Sequence, residues 1–161
     1  MTSVGVVEEQ GGTETILLAE DDGCVRGIAA RALTLLGYTV LEAAHGVDAL
    51  QIAMAHPAPI HLLVTDVVMP HLNGRLLADE LRRARPELRV LFVSGYAADT
   101  FTGAALQPDI PFMAKPYVPT VLARRVREAL DANRPRGGIA PTRDSPRSHA
   151  VRAHPSPAPR Q

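Results

Sequence analysis

Short apolar runs alternate with apolar residues at helical spacing along most of the chain. TILLA (15–19), YTVLEA (38–43), IHLLVT (60–65), RVLFVS (89–94) and FMA (112–114) are compact runs that predict five strands. Between them Val25, Ile28, Ala32 and Leu35 form a helical stripe that Gly37 ends. Val47, Leu50 and Met54 form a second, stopping before Pro57. A third helix runs from about Leu76 to Ala84, ahead of Pro86. Leu122, Val126, Ala129 and Leu130 predict the last. The stretch 95–111, GYAADTFTGAALQPDIP, is open between a short helix and irregular chain, because Gly, Thr and Pro weaken the helical reading. The third run is apolar on both faces. Strand–helix alternation around such strands predicts an α/β domain, a parallel sheet covered on both sides.

In a sheet of that kind, ligands bind beside the carboxyl ends of the strands. The residues at those ends carry the candidate chemistry. The first run ends at Glu20, Asp21 and Asp22, the third at Asp66, the fourth at Ser94 and the fifth at Lys115-Pro116. Crowded carboxylates without His or Cys suit a hard cation such as Mg²⁺. A lysine and a hydroxyl added to that set are parts for phosphoryl transfer, with a carboxylate as in-line nucleophile. Asp66, surrounded by the other groups, is the best nucleophile. Taken singly, each residue has a plainer role: Asp66 as a turn former, the acidic triplet as a solvated helix N-cap, Ser94 as loop. Lys115 is the only lysine among 17 basic residues, and its place before a proline at a strand end adds weight to the set.

Other residues recede on the same test. His45, His56, His61 and His71 show no tight metal-ligand spacing and read as surface or turn positions. Cys24 opens a helix and, as the single cysteine, excludes an intrachain disulfide. The formal charge is zero but uneven. Residues 134–161 hold six Arg against one Asp and six of the fourteen prolines, so the remainder is acidic. That argues against a nucleic-acid surface on the folded part. The expected organisation is a loose lead-in over 1–13, one domain over 14–133 and a disordered tail over 134–161. No apolar run reaches membrane-span length, and the N-terminus lacks the features of a signal peptide. A cytoplasmic protein with no membrane partner is expected.

ILLAEDD, LLVTDVVMPHLNG, VLFVSGYA and FMAKPY, in this order and spacing, resemble the receiver domain of bacterial response regulators. The resemblance covers about residues 15–132. The lead-in GGTETILLAEDD resembles receivers of hybrid histidine kinases or related stand-alone ones. It implies a doubly wound five-stranded sheet of flavodoxin-like order 2-1-3-4-5. It implies a phosphoacceptor at Asp66, which is also a metal ligand, with Asp21 a direct ligand, Glu20 acting through water and the Val68 carbonyl a third protein ligand. Ser94 would be the switch hydroxyl, Phe112 the switch aromatic, and Lys115 the partner of the phosphoryl oxygens, before a cis peptide bond to Pro116. The cofactor would be Mg²⁺ or Mn²⁺, and the donor a histidine kinase or histidine phosphotransfer protein, with a further partner downstream. Such a protein is a phosphoacceptor that assists its own chemistry rather than an enzyme. Residues 133–161 are too few and too polar for an output domain, and the stretch 95–111 implies a reduced fourth-helix surface. Val68 and Tyr96 place apolar bulk beside the acceptor and switch positions, which implies slow loss of phosphate.

Two rivals are set against this reading. A haloacid dehalogenase-type phosphatase would need a second Asp where Val68 stands. A non-phosphorylated interaction module would not need the full set of Glu20, Asp21, Asp66, Ser94 and Lys115.

Overall fold

The computed structural model describes residues 10–95 and 110–132. Five strands, β1 (Thr15–Ala19), β2 (Thr39–Ala43), β3 (Leu62–Asp66), β4 (Arg89–Ser94) and β5 (Phe112–Ala114), form one parallel sheet in the order β2-β1-β3-β4-β5. The helices are α1 (Gly23–Leu35), α2 (Gly46–Ala55), α3 (Gly74–Ala84) and α4 (Pro119–Asp131). The α/β fold and strand order are those expected. The stretch 96–109, including Tyr96, the lead-in before residue 10 and the tail from 133 lie outside the described residues.

The sheet has two cores, assigned by the two-residue alternation of strand side chains. Ile16, Leu18, Leu62, Val64, Leu91 and Val93 face α1 and α4. Leu17, Leu63, Val90 and Phe92 face α2 and α3. β3 lies at the centre and is buried at all five positions. It is also displaced from the expected 60–65. Ile60 and His61 precede it, and Asp66 is its last residue, in register with Val93. The acid thus belongs to the strand, and its backbone is fixed by the ladder.

Three of the helices stand where the spacing predicts them, but several of their large apolar residues do not face the sheet. Ile28 and Leu35 on α1, Val47 and Met54 on α2, and Leu76 on α3 are exposed, Leu35 by 78% and Met54 by 70%. The buried faces are made by Ala29, Ala30 and Leu33, by Ala49 and Ala53, and by Leu77, Ala78 and Leu81. Alanine lets a helix axis approach a sheet closely, and Leu33, Leu77 and Leu81 fill the contact beside it. On α4 the expected Leu122, Val126, Ala129 and Leu130 are all buried.

Local signals set the helix ends. Asp22 caps α1, accepting from the N–H groups of Cys24 and Val25. Asn73 caps α3 through the Leu76 N–H. Gly37 takes a positive φ of 96° after α1, a conformation that favours glycine. His45 caps α2 by accepting from the Asp48 N–H, while the Asp48 carboxylate accepts from the Ala44 N–H. His61 accepts from the Thr15 N–H at the opposite edge of the sheet. Both histidines thus do more than occupy surface turns.

Two longer-range clamps hold the layers. Arg85 donates to the carbonyls of Ala53, His56 and Ala58, in the last turn of α2 and just beyond it. Arg127 on α4 donates to Glu14, Asp131 and the Tyr38 hydroxyl.

Candidate phosphoacceptor site

The carboxyl ends of β1, β3, β4 and β5 bring Glu20, Asp66, Ser94 and Lys115 to one edge of the sheet. Glu20 directly follows β1 and is buried, as are Asp66 and Ser94. Lys115 follows β5, and its N–H donates to the Ser94 carbonyl at 2.8 Å. Its Nζ donates to Glu20 Oε2 at 2.6 Å and to Asp66 Oδ2 at 2.8 Å. The lysine therefore sits between the two acids rather than across a cleft from them. The Lys115–Pro116 bond is cis, as the resemblance implies.

The three consecutive acids after β1 have three different fates. Glu20 turns inward, and its backbone carbonyl accepts from Arg26 at 2.7 Å. Asp21 is exposed, but its carboxylate reaches the same point in space as those of Glu20 and Asp66. The ligand atoms of the three all lie within 4.8 Å of one another. Asp22 is occupied as the α1 cap, so the plain N-cap reading holds for that residue.

The Asp66 side chain is oriented by two contacts. Oδ2 meets the lysine, and Oδ1 accepts from the Val68 N–H at 3.2 Å. Its backbone carbonyl accepts from the Thr65 hydroxyl at 2.9 Å. Gly74, at the start of α3, lies so close that a Cβ there would run into that carbonyl. The loop from Asp66 to α3 can turn back only with glycine at that position. Val68 is half exposed, two residues after Asp66. Phe112 opens β5, partly buried against the core under α2 and α3.

The electrostatics are unbalanced. Burial raises the Glu20 carboxyl above its ordinary value of 4.5, against the pull of Lys115 and the Asp22 N–H. Desolvation alone would lower Lys115, but its hydrogen bonds to Asp66 and Glu20 together hold the ammonium above the usual lysine range. Burial also raises the Tyr117 hydroxyl, with the Glu20 charge adding to it. Three carboxylates share one ammonium, which leaves an excess of negative charge among hard oxygen donors. That donor set fits a divalent cation of the Mg²⁺ class.

The comparisons agree with this geometry. The model of the response regulator receiver domain matches residues 16–127. A sensor kinase CckA of Brucella abortus (strain 2308) is 42% identical over 121 residues, which are 74% of this chain and 13% of that protein. The response regulator receiver protein CpdR of the same organism is 33% identical over 118 residues, 73% of this chain and 97% of that one. The chain thus spans a small part of the kinase but nearly all of CpdR. The solved receiver domain of a hybrid histidine kinase CckA superposes with a TM-score of 0.62 at 39% identity, over 72% of this chain and 98% of that one. A solved receiver protein from Sinorhizobium medicae gives a TM-score of 0.67 at 27% identity, covering 74% and 96%. Among the described residues no helix is long and apolar enough to cross a membrane. This chain belongs to the response regulator receiver family of two-component signalling.

Proposed function

We propose that Asp66 accepts a phosphoryl group from a phosphohistidine of a histidine kinase or histidine phosphotransfer protein, in the cytoplasm and with Mg²⁺ or Mn²⁺ as cofactor. The observation that carries this is the contact of one ammonium, Lys115 Nζ, with both buried carboxylates of a three-acid cluster. An Asp66 carboxylate oxygen attacks phosphorus in line with the imidazole nitrogen. The P–N bond breaks as the P–O bond forms, and the imidazole leaves with the electron pair. Lys115 moves its hydrogen bonds from the carboxylates to the phosphoryl oxygens, where negative charge accumulates. The Val68 N–H holds the second Asp66 oxygen and fixes the direction of attack. Asp21, Asp66 and the Val68 carbonyl would hold the cation directly and Glu20 through water. When bound, the cation neutralises the excess charge and shields the incoming phosphoryl group from the carboxylates.

The product is an acyl phosphate at the end of the central strand. The buried Ser94 hydroxyl turns toward it and Phe112 follows, a local electrostatic change that biases a two-state surface for a downstream partner. The test is labelling with a small phosphodonor and Mg²⁺. The expected result is one phosphate per chain, labile to base and to hydroxylamine, absent in Asp66→Asn. Equally labile label in Asp66→Asn would overturn the assignment.

A further inference from the structure

The opposite edge of the sheet carries a second charged feature that the phosphoacceptor chemistry does not use. A half-open cleft of about 1590 Å³ lies beneath the amino ends of β3, β4 and β5, walled by Pro57 and Pro111 and lined by Arg82, Arg85, Arg89 and Glu87. The three arginines come from α3, its C-cap and the first residue of β4. Among the described residues, the hydrogen bonds of Arg82 and Arg85 go to neutral carbonyls. Arg82 Nε reaches the Leu88 carbonyl at 3.5 Å, and Arg85 bonds the three carbonyls near the end of α2. Arg89 Nε is buried and, among the described residues, has no hydrogen-bond partner. Among the described residues none of the three lies within ion-pair distance of a carboxylate. Among the described lining residues Glu87 is the one acid, so their charge sums to net positive.

Charge and size together define the ligand. Guanidinium groups that spend their donors on carbonyls keep their full charge, and that uncompensated charge attracts oxygen anions to the cleft. Small-molecule sites run to about 300–1,000 Å³, so this cleft is better matched to an extended chain. The chain's own tail, with six Arg against one Asp, is repelled from it. We propose that this cleft docks an acidic, extended peptide segment of a partner protein. Its carboxylates would lie on Arg82 and Arg89, and its apolar positions against the proline walls. Arg89 and Ser94 mark the two ends of β4, so this surface lies roughly 17 Å along the strand from the phosphoacceptor edge. A partner segment held there leaves the phosphodonor's approach open.

The experiment uses the full chain and a labelled peptide of Glu-Pro-Glu-Ala repeats, with binding read by fluorescence anisotropy at low and physiological salt. The expected result is salt-sensitive binding that weakens by about tenfold or more in Arg82→Gln/Arg89→Gln. Arg89→Lys, which keeps the charge, should retain binding, and thermal unfolding establishes that each variant is folded. Arg152→Gln/Arg160→Gln in the tail should bind like the parent. Undiminished binding in Arg82→Gln/Arg89→Gln, loss in the tail variant, or no binding at low salt would each overturn the proposal. Tighter binding of a single-stranded oligothymidylate of equal charge would assign the cleft to nucleic acid and overturn it as well.

Discussion

Two charged clusters flank the sheet, one built around Lys115 and the other around Arg127, and they are balanced differently. Arg127 is surrounded by two carboxylates and a hydroxyl, Glu14, Asp131 and Tyr38, in a partly buried network that ties the residues just before β1 and β2 to α4. The hydrogen bond from Arg127 lowers the Glu14 carboxyl below its ordinary value. Lys115 also bridges two carboxylates, yet Glu20 is raised. Deeper burial and the nearby Asp66 make the difference. Similar ion pairs thus stabilise the fold at one edge and leave an electrostatic demand at the other. A completed network needs nothing further, whereas an incomplete one has capacity for a ligand.

The largest expected effect breaks the incomplete side. Asp21→Ala removes the exposed carboxylate of the cluster and should abolish Mg²⁺-dependent labelling of Asp66. The same variant should be no less stable than the parent without metal, because like charges have been separated. Undiminished labelling would remove Asp21 from the cation site.

Next in size is the rate at which phosphate is lost. Val68 and Tyr96 offer no amide or carboxylate to orient a hydrolytic water. Val68→Asn with Tyr96→Glu should accelerate decay of labelled protein by a factor on the order of 10–100. The measurement is loss of label after the donor is removed with Mg²⁺ present. An unchanged half-life would mean that these side chains do not govern access of water.

On the complete side, Arg127→Gln should destabilise the fold by about 1.5–3 kcal/mol, the usual cost of losing hydrogen bonds to charged groups. Denaturant unfolding at neutral pH reads this directly. A change within error would make the network a surface feature of little weight.

The smallest effect is the pH dependence of stability in metal-free protein, where the two glutamates act with opposite sign. Glu14, lowered in the fold, contributes stability that is present above the ordinary value of 4.5 and is lost as pH falls through its folded value. Glu20, raised in the fold, contributes stability that is present below 4.5 and is lost as pH rises through its folded value. Glu14→Gln should flatten the acid limb of the stability curve, and Glu20→Gln should flatten the limb above 4.5. The same limb flattened by both substitutions would contradict the contrast.

Much of the incomplete site was legible in the sequence, and little of the complete one. Glu20, Asp66, Ser94 and Lys115 each stand where an apolar run stops, and the rule for parallel sheets gathers such ends on one edge. Arg127 and Glu14 are 113 residues apart, and no local pattern connects them. The helices were legible in extent but not in facing. Leu35 and Met54 drew the stripe because they are large, while Ala29, Ala49 and Ala53 do the packing because they are small. Periodicity fixes the spacing of a face, and the distance between helix and sheet decides which residues fill it. Arg85 was equally hidden, since its role depends on where α2 ends.

β3 is buried along its full length and carries Asp66 as its last residue. Amides on such a central strand exchange with solvent mainly through global opening, while loops and edges open locally at lower free energy. The orientation of the Asp66 backbone therefore persists about as long as the folded state itself. The loops and edges around it can fluctuate many times during that interval without disturbing the atom proposed to receive phosphate.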